Sequence, residues 1–178
     1  VVQTPAVDNV ITENSGWAAD DNTICAGDVA TITATAGFTN YQFWVNGTDV
    51  QNSASNVYSN NNFVNPSIVS VTAMDAQGCS VSSSNQIISV NDLPVGTLNI
   101  FEQSGINNDG IICSGSPVQF EATAGYDNYQ FKINGANAQN GAANTFTTST
   151  LNHGDIVSVE VSSDAGCTIE FNSFTMVV

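Results

Sequence analysis

The sequence alternates. Tyr41, Phe43 and Val45 fall on one side of an extended segment and Gln42, Trp44 and Asn46 on the other, the period of two that a half-buried strand requires. Tyr129, Phe131 and Ile133 repeat the pattern later in the chain, and Val69, Val71 and Ala73 make a second inward-facing set. Short runs of this kind recur about every ten residues with turn residues between them, and no segment carries the 3.6-residue period of a helix. In the first half they predict strands near 7–13, 28–35, 40–46, 50–52, 56–63, 67–74 and 80–90. Asn46-Gly47 predicts a type I′ hairpin turn, because both residue types accept positive φ.

The pattern occurs twice. Cys25-Ala26-Gly27 returns as Cys113-Ser114-Gly115, an offset of 88. At the same offset Ala36-Gly37-Phe38-Thr39-Asn40-Tyr41-Gln42-Phe43 returns as Ala124-Gly125-Tyr126-Asp127-Asn128-Tyr129-Gln130-Phe131, and Gly78-Cys79 as Gly166-Cys167. From Ile24 to Val90 the copies align without a gap, about a third of positions being identical. Upstream, Pro5 matches Pro94 and Glu13 matches Glu102, one residue out of step, so the first copy carries one extra residue near Ala18-Ala19. The boundary is placed at Asn91-Asp92-Leu93-Pro94. About seven strands in each copy, with a buried aromatic on the third, fit an immunoglobulin-like β-sandwich. The expected architecture is all-β, two tandem repeats spanning 1–91 and 92–178, arranged as an elongated rod.

Particular residues carry a resemblance. Ile24 to Asp28, Ala34-Thr35-Ala36-Gly37, Tyr41 to Gly47, Gln51-Asn52 and the closing Gly78-Cys79 resemble the Ig-like repeats of giant surface adhesins of gliding Bacteroidetes. Those adhesins are exported by type IX secretion. The resemblance covers nearly the whole chain and implies a cell-surface filament of many such modules, engaged in adhesion and gliding motility. It supplies no catalytic residues.

Charge narrows the partners. Sixteen Asp and Glu face a single Lys132 and no Arg, for a net charge of −15. Such a chain repels phosphate backbones and anionic lipid, which argues against nucleic acid and membrane surfaces. No apolar run approaches the roughly 20 residues of a membrane helix. Neighbouring repeats of the same long chain are the expected partners, with surface polysaccharide a further candidate.

Cys25, Cys79, Cys113 and Cys167 form no Cys-x-x-Cys and have one histidine for company, so structural disulfides in an oxidising, extracellular compartment are expected rather than zinc. Two pairings stand open. Cys25–Cys79 and Cys113–Cys167 would each close a long loop, worth about 4 kcal/mol by loop entropy. Against it, sandwich topology places Cys25 and Cys79 at opposite ends of a strand roughly 20 Å long, whereas bonded Cα atoms lie within about 7 Å. The same topology favours Cys25 with Cys167, leaving Cys79 and Cys113 for neighbouring repeats.

Acidic residues gather in loops. Glu13, Asp20 and Asp21 share a long loop of the first copy, Asp92 is in the linker, and Asp127 and Asp164 lie in loops of the second. With no Lys or Arg to pair them, they are candidate Ca²⁺ ligands at the inter-repeat joint, since Ca²⁺ takes six to eight oxygens. The alternative is a solvated acidic surface that keeps an extracellular protein soluble.

Two aromatics and one histidine remain. Trp44 points away from the core face and is replaced by Lys132 in the second copy; it could stack on a sugar or pack on a neighbouring strand. Trp17, matched by Ile106, reads as a plug beneath the long loop. His153 has no partner Ser or Cys in a recognisable motif, so an enzyme is not expected. The expected function is therefore a structural spacer of a large extracellular, cell-surface adhesin. The alternative is a pair of carbohydrate-binding modules from a secreted polysaccharide-degrading enzyme.

Overall fold

The computed structural model describes residues 6–178; Pro5, aligned above with Pro94, lies outside them. The chain divides into two compact units, Val1–Asp92 and Leu93–Val178. Both are all-β, with no helix among the described residues.

The first unit holds nine strands: β1 (Asn9–Glu13), β2 (Thr23–Cys25), β3 (Ala30–Ala34), β4 (Asn40–Val45), β5 (Thr48–Ser53), β6 (Val57–Asn60), β7 (Ser67–Met74), β8 (Ser80–Ser82) and β9 (Gln86–Asn91). One sheet runs β1-β3-β6, and a larger one runs β2-β9-β7-β4-β5 with β8 also paired to β7. Their inner faces meet in a single core in which Ile11, Ile32, Tyr41, Phe43, Val69, Val71, Ala73 and Ile88 are buried. These are the alternate positions of the sequence pattern, so the period of two selects the buried face. Each large apolar side chain removed from water stabilises by about 1.5–3 kcal/mol. The fold is an immunoglobulin-like sandwich.

The second unit repeats the plan with β10 (Leu98–Phe101), β11 (Val118–Ala122), β12 (Asn128–Ile133), β13 (Ala136–Gly141), β14 (Thr145–Thr148), β15 (Ile156–Ser162), β16 (Thr168–Glu170) and β17 (Phe174–Thr175). Its sheets run β10-β11-β14 and β13-β12-β15-β16, β17 also pairing with β15. Phe120, Tyr129, Phe131, Val157, Val159 and Val161 fill its core.

Local chemistry fixes the registers. Asn46 and Gly47 have φ of 50° and 76°, and Asn134 and Gly135 51° and 78°, the two positive values of a type I′ turn. The Asn46 side chain adds a rung to the ladder: its Oδ1 accepts the Ile68 N–H at 2.8 Å while its own N–H donates to the Ile68 carbonyl. Asn134 does the same with Ile156. The buried Tyr41 hydroxyl accepts from the Phe38 N–H and donates to the Thr35 carbonyl, and Tyr129 makes the equivalent pair with Tyr126 and Thr123. A phenol can be buried there because both ends of its hydroxyl are satisfied.

Four features depart from the sequence reading. The segment expected as one strand over 80–90 is broken into β8 and β9, the Ser83 hydroxyl donating to the Ser84 carbonyl and accepting the Val71 N–H where the ladder lapses. Strand β2 was not anticipated; it pairs parallel with β9, Ile24 opposite Val90. Trp17 is no plug: it is 70% exposed, and its counterpart Ile106 76%. Gly16, Asp20 and Asn22 all turn through positive φ, and the loop closes on a carboxylate at its base instead of on an apolar side chain. Finally, Asn9 is 5% exposed in β1, where the second unit has Leu98 at 1%. Among the described residues neither end of its amide has a hydrogen-bond partner.

Candidate functional site

The carboxylate at the base of that loop is Glu13, only 7% exposed. Its Oε2 accepts the Ser15 N–H at 2.8 Å and its Oε1 the Asp21 N–H at 3.0 Å. The Glu13 N–H donates in turn to Asp20 Oδ1, and the Thr23 N–H to Asp21 Oδ1. Ser15 extends the network, its hydroxyl lying 2.7 Å from Asp28 Oδ2 while accepting the Cys25 N–H. The second unit reproduces the arrangement. Glu102 accepts the N–H groups of Ser104 and Asp109, Asn108 Oδ1 accepts the Glu102 N–H, and Asp109 Oδ1 accepts that of Ile111. A polar loop has no core of its own, and charge-assisted bonds to backbone N–H groups replace one.

This arrangement bears on calcium. Both oxygens of Glu13 and one oxygen each of Asp20 and Asp21 accept backbone N–H groups, so these carboxylates hold the loop's own backbone. Asp92 is exposed where the first unit ends, and Asp127 and Asp164 are exposed in loops of the second. Among the described residues no three His, Cys, Asp or Glu side chains gather as a metal site.

The cysteines divide by kind. Cys25 and Cys167 are disulfide-bonded and buried. Cys79 and Cys113 carry free thiols and are exposed. With Cys79 and Cys113 free, the bonds Cys25–Cys79 and Cys113–Cys167 are not formed.

Trp44 is half-buried on the outer face of the larger sheet, its Nε1–H donating to the Thr72 hydroxyl at 3.2 Å, and that hydroxyl lies 3.0 Å from Ser82 Oγ. In the second unit the same three positions hold Lys132, Glu160 and Glu170, with Nζ 2.9 Å from Glu160 and 3.7 Å from Glu170. The hydrogen bond to Glu160 raises the Lys132 pKa, outweighing the effect of partial burial. Asp155 is shifted the other way: the Asn152 backbone N–H and then the Asn134 amide hold its carboxyl below the usual aspartate range. His153, beside it, is exposed.

Sequence reasoning missed one depression. Phe101, 43% exposed at an outward position of β10, borders a cleft of about 470 Å³ lined by Gln103, Asn107, Gln119 and Thr147. A second hollow of about 320 Å³ shares Phe101 and Asn108 with it. The first unit has Thr12, Thr31 and Ser59 at the places of Phe101, Gln119 and Thr147, with the Thr31 and Ser59 hydroxyls 2.8 Å apart. The only sequence signal was an aromatic on the polar side of a strand.

No known protein family matches the sequence, and no curated protein does either. Among solved structures, the chain is similar to fibronectin(III)-like modules of CbhA from Clostridium thermocellum, at 12% identity over 95% of this chain and 94% of that one, with a TM-score of 0.46. It is also similar to a Ca²⁺-stabilised adhesin that helps an Antarctic bacterium bind ice (20% identity, 99% of this chain, 50% of that one, TM-score 0.42). A third is the C-terminal fragment of intimin in complex with the intimin-binding domain of its translocated receptor (13% identity, 99% and 64%, TM-score 0.43). All three TM-scores lie below 0.5, and it is this chain's own strands and registers that define the sandwich.

Proposed function

We propose that the two units are non-enzymatic spacer repeats of a large extracellular bacterial surface adhesin, of the kind exported by type IX secretion and used in attachment or gliding. The observation that carries the reading is duplication in depth. The second unit repeats the two-sheet plan of the first, its type I′ turn, its tyrosine bonds and its Glu-centred loop. Selection for a site leaves one copy distinguished by its chemistry, whereas a spacer needs only a module that folds reliably beside its neighbours. A disulfide and a strongly acidic surface support an extracellular setting. Substitution is the test: the two units are replaced in the parent adhesin by two unrelated sandwiches of equal length, and cell attachment is measured. A spacer predicts attachment equal to that of the unaltered cells and a loss when the units are deleted. Attachment lost on replacement as well as on deletion would overturn the reading.

The cleft beside Phe101 supports a second reading, in which the second unit binds a neutral polysaccharide by stacking on the ring and hydrogen bonding to the surrounding amides. A glycan array separates the two: this reading requires a signal that Phe101→Ala abolishes while the unit stays folded.

A further inference from the structure

Asparagine followed by glycine is chemically unstable, because a glycine carries no Cβ to keep its nitrogen away from the neighbouring carboxamide. The chain holds three such pairs: Asn46-Gly47, Asn134-Gly135 and Asn140-Gly141. The first two are one turn made twice, and in both the asparagine is exposed to water.

The backbone does not distinguish the two turns, with φ of 50° and 76° in one and 51° and 78° in the other. Each asparagine Oδ1 accepts a backbone N–H, from Ile68 at 2.8 Å and from Ile156 at 2.9 Å. The amide nitrogens differ. Asn134 Nδ2 donates to Asp155 Oδ1 at 2.8 Å, and the other oxygen of Asp155 accepts the Asn152 N–H at 2.7 Å. The first unit has Ser67 in the place of Asp155, and that hydroxyl is engaged with the N–H and carbonyl of Val64. Among the described residues Asn46 Nδ2 has no hydrogen-bond partner. Asn140 and Gly141, the third pair, lie in β13 opposite Gln130 and Tyr129 of β12.

From this we infer that Asn46 is a site of spontaneous covalent modification, converted in water to aspartate and isoaspartate, and that Asp155 protects the same turn of the second unit. The Gly47 nitrogen attacks Asn46 Cγ, the new N–Cγ bond forms as the Cγ–Nδ2 bond breaks, and the proton lost by the glycine nitrogen leaves with the ammonia. Water then opens the five-membered imide at one carbonyl or the other, so the sum is asparagine plus water giving aspartate or isoaspartate plus ammonia. A carboxamide must leave its hydrogen bonds before its carbon can meet that nitrogen. Asn46 has one such bond to break and Asn134 has two, the second to a carboxylate. The Asp155 charge also opposes the negative charge that develops during attack. At Asn140, cyclisation would have to break the β12–β13 ladder. Isoaspartate adds a methylene to the backbone of a two-residue turn that has no length to spare, so the product loosens the β4–β5 hairpin and leaves its counterpart in the second unit intact.

The test incubates the folded two-unit chain at mildly alkaline pH and follows each Asn-Gly pair by peptide mapping with mass spectrometry. A protein-isoaspartate methyltransferase with labelled methyl donor reports the isoaspartate. Asn46 is expected to react first, about fivefold faster than Asn134, the scale of one hydrogen bond. In denaturant the two rates should converge, since the flanking residues are alike. Asp155→Ser, which copies the first unit, should bring Asn134 up to the rate of Asn46. Asn134 or Asn140 reacting as fast as Asn46 in the folded chain would overturn the inference. So would a difference that persists in denaturant, or an Asn134 rate that Asp155→Ser leaves unchanged. The comparison between folded and denatured chain needs no variant, so a poorly folding Asp155→Ser would not rescue the idea.

Discussion

The first unit places Trp44, Thr72 and Ser82 on the outer face of its larger sheet, and the second places Lys132, Glu160 and Glu170 at the same three positions. One set is an indole on a pair of hydroxyls and the other an ammonium between two carboxylates. A second contrast lies at the turn before β7 and β15. There the buried Ser67 hydroxyl accepts the Val64 N–H and donates to its carbonyl, whereas Asp155 takes the Asn152 N–H. With the exception of Asn9 against Leu98, the inward strand positions of the two cores hold apolar or aromatic residues in both copies. The outer face tolerates any chemistry that satisfies itself, because it need only avoid stranding a polar group.

That view can be broken at the core first. Phe43→Ala and Phe131→Ala should each cost about 3–5 kcal/mol, and each loss should fall on its own unit, as hydrogen exchange would resolve. A loss shared equally by both units would mean that the copies fold as one body. Next come the loop carboxylates. Glu13→Ala and Glu102→Ala each strand two N–H groups and should cost about 3 kcal/mol, measured by urea unfolding. The penalty should be the same in EGTA and in millimolar Ca²⁺, since the loop closes on its own donors. A melting temperature that rises with Ca²⁺, and no longer does so in an Asp20→Ala, Asp21→Ala chain, would place an ion there instead.

Asn9 sharpens the comparison from the other side. Putting the second unit's residue into the first, as Asn9→Leu, should raise the first unit's stability by about 1–2 kcal/mol, because an amide without partners gives way to apolar contact. A destabilised variant would show that the amide is satisfied in solution. Lys132→Met should cost less than about 1 kcal/mol, the usual scale of an ion pair near the surface. The smallest effect concerns acid. Asp155 has a lowered pKa when folded, so its contribution is complete above the unfolded aspartate value and disappears as pH falls through the folded one. Thermal scans at pH 3 and 7 should show that loss in the second unit, and Asp155→Ser, which copies the first unit, should remove this part of it.

Much of the fold was legible because burial writes a period of two. Tyr41, Phe43, Val69 and Val71 are inward in the sequence and in the sandwich alike, and Asn46-Gly47 announces its turn by residue type. Three-residue β2 was not legible, since it forms by parallel pairing to a strand more than sixty residues away and has no period of its own. Trp17 misleads because hydrophobicity alone does not mean burial: the ring is exposed, and the residue that goes inside is the charged Glu13. The clue was available: Glu13 and Glu102 head the same loop in both copies, each followed by an acid that also recurs, Asp21 and Asp109. The cysteine positions were readable, but their state was left between two alternatives, because four identical side chains at two repeating positions carry no record of which are covered.

Lys132 is the only residue in the chain after which a trypsin-like protease can cut. It sits in β12, hydrogen-bonded to β13 on one side and β15 on the other. A protease must draw its substrate out as a free extended strand, so the bond after Lys132 is cut only when the second unit opens. The first unit offers such an enzyme nothing, folded or unfolded. A digestion time course of these two units is thus a clock for the opening of one unit alone, its single scissile bond kept in the middle of a sheet.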